Sequence, residues 1–395
     1  MRLFDKLQPV ADIRDSIRAG GVDPLGVPID KVLSATEAVI RGRSCILAGS
    51  NNYLGLSFDP RCRQAAADAA LEQGTGTTGS RMANGSYAGH LALERELADF
   101  YGVGHAVVFS TGYQANLGML AALTGPRDTL LLDADCHASI YDGARLSGAQ
   151  VLRFRHNDAA DLDKRLGRLG DVAGDALVVA EGIYSMLGDV APLAEIATVT
   201  SRHRAALLVD EAHSMGVLGA TGRGAAEAAG VEQQVDFVVG TFSKSLGAIG
   251  GFCVSRHAEL DWVRYASRAY IFTASPAPPV IACTRTALTL LRCEPQRRER
   301  LWRNARQLYD ALTGMGFTLG PQASPVVAVM FDGPQIALAF WRGLLERGVY
   351  VNLMLPPATP NGWCLVRCSL SAAHDGAQLQ QIIDAFAELK AALSV

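Results

Sequence analysis

Short apolar runs along this chain are repeatedly followed by side chains able to do chemistry. Ser110, Thr111 and Gly112 follow HAVVF. Asp135 and His137 follow TLLLDA, and Glu181 and Ser185 follow ALVVA. Asp210 and His213 follow ALLV, and Thr241, Ser243 and Lys244 follow DFVVG. If the runs are parallel strands, these residues gather at one sheet edge, where open α/β sheets bind their ligands.

An amine, a carboxylate, imidazoles and a glycine-containing turn meet the needs of pyridoxal phosphate (PLP). That cofactor takes an amine for its Schiff base, a carboxylate for its pyridinium nitrogen, a flat partner for its ring and backbone N–H groups for its phosphate. Lys244 lies in TFSKSLG, flanked by small residues that let a cofactor approach. Asp210 precedes it by 34 residues, with one further predicted strand between them. His213, three residues beyond Asp210, reaches the same pocket and the ring oxygen, and His137 is placed to stack on the ring. In STGYQAN (110–116), Gly112 and Tyr113 offer amides to the phosphate. Each residue alone has an ordinary reading: an Asp after a strand caps a helix or turn, a lone His is a satisfied polar group, and many helices start on such a turn. The combination carries the argument. The Gly-rich stretch GTGTTGSRMANGS (74–86) lacks the P-loop lysine signature; it reads as an active-site loop in which Ser80 lines the pocket.

These residues need a sheet to hold them. The runs HAVVFS, TLLLDAD, QVLRFR, ALVVAEG, ALLVDEA and DFVVGTF alternate with helical patterns such as GYQANLGMLAAL (112–123) and PLAEIATVTSRHR (192–204). Nearly continuous apolar content predicts strands buried on both faces of a mostly parallel sheet. The last third mixes helices (297–316, 334–348, 377–393) with a strand, VVAVMF (326–331), and predicts a smaller α+β domain. Residues 1–40 read as a helix and a Gly/Pro connector. A chain of 395 residues, 49% hydrophobic and 19% charged, is long enough for such a pair of domains. Its net charge of -3, without a basic stripe, gives no reason to expect nucleic acid as a partner. The eight cysteines stand singly, with no CxxC pair, so no metal site or redox dithiol is expected. The N-terminus lacks a signal-peptide core, and no uncharged apolar run approaches the ~20 residues of a membrane span. The cytoplasm is the expected location.

DEAHS (210–214), GTFSKSLGAIGG (240–251) and STGYQAN together resemble the α-oxoamine synthase family of fold-type I PLP enzymes, over most of the chain from about Thr36 onward. Within it, DADCHASIYDGARLSGAQVLRFRHND (133–158), EGIYSMLGDVAPL (181–193), QVDFVVGTFSKSLG (234–247), RAYIFTAS (268–275) and PPATPNG (356–362) are most similar to the bacterial branch that joins L-serine to a palmitoyl thioester. The resemblance implies the fold-type I transferase architecture. Expected spans are an N-terminal helix and connector (1–45), a large PLP-binding α/β domain (46–272) and a small C-terminal α+β domain (273–395). It implies Lys244 as the Schiff-base lysine, Asp210 as the pyridinium partner, His213 at the ring oxygen and His137 as the ring-stacking residue. Gly112, Tyr113, Thr241 and Ser243 resemble the phosphate cradle, with Ser185 beside the cofactor. Thr273 resembles a residue reaching the neighbouring subunit's phosphate, which implies a homodimer with shared sites. Asn52, Ser80 and Arg367 resemble substrate-binding positions, Arg367 for the carboxylate.

The implied reaction is decarboxylative condensation of L-serine with a long-chain acyl thioester, on coenzyme A or a carrier protein, to 3-ketosphinganine, the first step of sphingolipid synthesis. A lipid product brings peripheral membrane contact into consideration, although no strong basic amphipathic helix is present. Two positions depart from that branch: Leu355 stands before PPATP where an arginine is usual, and Asn51 stands where an aromatic is usual. Both touch the amino-acid side of the pocket and keep a synthase for glycine or alanine as the alternative. An aminotransferase on the same fold and a non-catalytic partner subunit are further rivals; retained Lys244, Asp210 and His137 oppose the second.

Overall fold

A computed structural model describes residues 2–18, 23–24, 26–356 and 358–393. Residues 19–22 and 25 of the expected connector, and Pro357 of PPATPNG, lie outside the described residues. The chain forms two compact units, residues 51–185 with 189–302, and residues 1–50 with 186–188 and 303–395.

The larger unit is built on a seven-stranded sheet: β1 (His105–Phe109), β2 (Thr129–Asp133), β3 (Gln150–Phe154), β4 (Ala176–Glu181), β5 (Ala206–Asp210), β6 (Phe237–Thr241) and β7 (Gly251–Ser255). Their order in space is β1-β7-β6-β5-β4-β2-β3. Strands β3, β2, β4, β5 and β6 pair in parallel, while β7 runs antiparallel to both β6 and β1. Side chains alternate across a strand, and here both faces are covered. Leu131, Val178 and Leu207 enter one apolar cluster, and Leu130, Leu132, Leu177 and Leu208 enter the other. Strand β3, at one end of the sheet, differs in being largely exposed.

Two helices matter for the site. Helix α1 (Gly112–Leu123) starts directly after β1, capped by Thr111, whose hydroxyl accepts from the Gln114 amide at 3.0 Å. Helix α2 (Ala138–Ser147) starts after β2 with His137 at its N-cap.

The smaller unit holds a four-stranded sheet and a three-stranded sheet. In the first, Arg43–Leu47 pairs in parallel with Val349–Tyr350. In the second, Cys364–Ser369 lies between Val326–Phe331 and Asn352–Met354. The α+β character matches the expectation, but the spans differ. Residues 1–50 join the smaller unit because their strands complete its first sheet. Residues 273–302 stay with the larger one, since helix Pro278–Cys293 packs along helix Pro60–Gln73. The division falls inside helix Gln296–Gly314.

Candidate active site

The ends of β1, β2, β4, β5 and β6 open on a cavity of about 330 Å³. Gly112, Tyr113, His137, Asp210, His213, Thr241, Ser243 and Lys244, all expected there, line it together with Asn116, Ser139 and Glu181. Parallel strands explain the convergence, because each delivers its following residues to the same edge.

At the floor, Asp210 is 5% exposed. Its Oδ2 accepts from Asn116 Nδ2 at 2.7 Å, and its Oδ1 accepts from the Ala212 amide at 2.9 Å. Such charge-assisted bonds hold a carboxylate in one orientation. Glu181 is its register partner on the neighbouring strand and is also buried. Burial, and then the adjacent Asp210 charge, push the Glu181 carboxyl well above the usual carboxylate range. Glu181 accepts from the His137 amide. The His213 ring meets the Tyr53 hydroxyl through Nδ1 at 2.7 Å.

At one end of the cavity the first amides of α1 have no partner within the helix, as at every helix N-terminus. A Cβ on Gly112 would sit 2.8 Å from Thr241 Cβ, so a side chain there would fill the space beside those amides. Thr241 donates its hydroxyl to the Gly250 carbonyl at 2.9 Å, which leaves Ser243 as the donor in the 2.8 Å contact between the two hydroxyls. This end suits a phosphate. The donor set as a whole fits PLP: an anion cradle at one end, a buried carboxylate, an imidazole and a lysine amine.

The other expected residues lie elsewhere. Thr273 accepts from Gln114 Nε2, on the first turn of α1, at 3.1 Å. Asn52 donates to Ser57 Oγ at 2.7 Å. The Ser80 carbonyl accepts from the Gly85 amide within its own loop. Ser185 lies in the turn that follows β4. None of these four lines the cavity. Arg367 belongs to the other unit, buried on Cys364–Ser369 opposite Ala328 and Asn352. The site residues missed in the sequence are Asn116, Ser139 and Tyr53. The first two sit inside or just within helices, where nothing local marks them.

Residues 43–386 match the family described as aminotransferase class I and II. The chain is 59% identical over 395 residues to serine palmitoyltransferase of Caulobacter vibrioides, covering 100% of this chain and 98% of the relative. It is 50% identical over 385 residues to the serine palmitoyltransferase of Sphingomonas paucimobilis, covering 97% and 91%. Among solved structures, serine palmitoyltransferase from S. paucimobilis with bound PLP and myriocin superposes with a TM-score of 0.97 at 49% identity, covering 99% of each chain. The Sphingomonas wittichii serine palmitoyltransferase gives 0.97 at 52%, again covering 99% of each. With matches of this length and identity, the chain belongs to the aminotransferase class I and II family and, within it, to the PLP-dependent α-oxoamine synthases.

Proposed function

We propose that this enzyme condenses L-serine with a long-chain acyl thioester, releasing CO2 and the thiol and giving 3-ketosphinganine, the first step of sphingolipid synthesis. One observation carries the reading: Lys244, Asp210, His137 and the α1 N-terminus converge on one cavity in a chain 59% identical, end to end, to a serine palmitoyltransferase.

PLP, when bound, supplies an electron sink that withdraws the pair left on Cα as a proton or CO2 departs. The chain does the rest. Gly112 and Tyr113 amides, with Thr241 and Ser243, bind the phosphate. Asp210, held by Asn116 and the Ala212 amide, keeps a proton on the ring nitrogen. His213 hydrogen-bonds the ring oxygen, and His137 covers the ring face. Lys244 Nζ holds the cofactor before substrate arrives and then takes the Cα proton of serine. Arg367 binds the serine carboxylate through its planar guanidinium, Asn52 and Ser80 line the substrate side, and Ser185 lies beside the cofactor. Thr273 reaches the phosphate of a second copy, making the enzyme a homodimer with shared sites. The acyl donor is a coenzyme A or carrier-protein thioester. The enzyme works in the cytoplasm, with peripheral membrane contact where its lipid product leaves. No helix among the described residues is long and apolar enough to cross a membrane.

Leu355 favours a second reading. Without an arginine there, glycine or alanine replaces serine as the amino-acid substrate. Titrating the visible spectrum of the PLP-loaded enzyme with L-serine, glycine and L-alanine separates the two. A saturable change with serine alone, and condensation on adding palmitoyl-CoA, supports the first; preference for glycine or alanine supports the second. Lys244→Ala should keep the fold and lose turnover. Normal condensation by that variant refutes the assignment.

A further inference from the structure

His137 is the N-cap of α2, and that position decides which ring nitrogen carries its proton. The Ser139 amide donates to His137 Nδ1 at 3.2 Å. An amide can only donate, so Nδ1 presents a lone pair. Ser139 Oγ lies 2.7 Å from the same nitrogen, and with Nδ1 bare the hydroxyl must be the donor there. That hydroxyl accepts in turn from Asn116 Nδ2 at 2.9 Å, and the second Nδ2 hydrogen goes to Asp210 Oδ2 at 2.7 Å. The Asp210 carboxylate fixes the orientation of the amide, since a flipped Asn116 would set oxygen against oxygen. Asn116 and Ser139 are 2% and 1% exposed, so water does not compete for these bonds. Every proton along the path is thereby assigned, and a neutral His137 carries its own on Nε2.

We propose that Ser139, backed by Asn116, is a positioning residue: it sets His137 as the Nε2–H tautomer, so that the imidazole offers the cavity one hydrogen-bond donor for a substrate carboxylate or carbonyl oxygen, and it ties that setting to Asp210. The inference rests on the reading of this cavity as the active site. Groups facing the ring are Asp210 and Lys244 in the cavity and Tyr113, edge-on with centroids 6.4 Å apart; Glu181 holds the His137 backbone amide. Burial lowers the affinity of the imidazole for a second proton, Asp210 opposes this and Lys244 adds to it. A hydroxyl donating to the neutral ring acts in the same direction as burial, because a bond to the neutral form disfavours the charged one.

Long-range 1H–15N correlation spectra of the full chain labelled at histidine nitrogen, with and without PLP, provide the test. His137 is assigned by the signals lost in His137→Gln. The wild type should show bare Nδ1 and protonated Nε2. Ser139→Ala should raise the His137 midpoint by about one pH unit, as expected for losing one neutral hydrogen bond, and move the acidic limb of kcat/KM by the same amount. Ser139→Thr should restore both. An Nδ1-protonated wild type overturns the proposal even if Ser139→Ala fails to fold. So does a Ser139→Ala midpoint equal to that of the wild type. Normal PLP binding and condensation alongside either result leaves the functional reading standing and removes only this one. Failure of the loaded protein to bind PLP or condense removes the functional reading, and the positioning role with it.

Discussion

His156 bridges two buried carboxylates in the larger unit. Its Nδ1 meets Asp133 Oδ1 at 2.8 Å, and its Nε2 meets Asp189 Oδ2 at 2.6 Å. Asp133 is fully buried and Asp189 nearly so. Burial alone would discharge the imidazole. The hydrogen bonds to Asp133 and Asp189 outweigh it and bring the pKa from 6.5 up to about 10. At about 1.4 kcal/mol per pH unit, that rise corresponds to roughly 5 kcal/mol of linked stability. With 25% of the side chain exposed, solvent screening reduces this to about 3 kcal/mol, in the range for breaking a buried ion pair. The folded pKa lies above the unfolded one. The contribution is therefore complete below pH 6.5 and is lost as pH rises through about 10. His156→Gln should melt about 4 °C below the wild type at pH 6.5, at about 1.2 °C per kcal/mol for a chain of 395 residues. The gap should close toward pH 10. Apparent melting temperatures of both proteins, measured without PLP at intervals from pH 6 to 10, check this. A gap that is constant over that range, or absent at pH 6.5, refutes the reasoning.

Two further outcomes follow from packing. Gly112→Ala places a Cβ 2.8 Å from Thr241 Cβ and 3.0 Å from its hydroxyl oxygen, and Thr241 is tied to Gly250. PLP affinity should fall about tenfold or more, the scale of an overpacked contact; equilibrium dialysis showing wild-type affinity contradicts it. Glu94 Oε1 accepts from Arg81, Arg264 and the Val108 amide, each at 3.0 Å. Glu94→Gln should cost about 3 kcal/mol or more by leaving those guanidiniums without their counter-charge, and an unchanged urea midpoint would show otherwise.

The cavity was legible because each strand carries its own ending: a run of Val, Leu or Phe followed at once by Asp, His, Glu or Lys. Strand β7 escaped notice because GFCVS delivers no such residue to the site edge, and its antiparallel direction leaves no mark in its composition. Strand β3 was expected to be buried and is largely exposed, because what covers a strand's faces is set by distant segments that its own composition does not show. The two compact units differ from the expected spans for a similar reason. What assigns Pro278–Cys293 to the larger unit is a helix more than two hundred residues earlier. Asn116 and Ser139 look in sequence like ordinary helix residues, and their role emerges only when β2, β5 and α1 bring His137 and Asp210 within reach of them.

The smaller unit is assembled from both ends of the chain, and this has a consequence during synthesis on the ribosome. Arg43–Leu47 finds its parallel partner, Val349–Tyr350, only after about 300 more residues have been made, roughly 15–60 s at about 5–20 residues per second. The whole larger unit emerges first and can fold in that interval. Meanwhile the early strand waits with an unpaired edge, the kind of surface that invites wrong partners. Slower elongation lengthens that exposure, so yield in a producing cell should depend on how fast the message between these two strands is read.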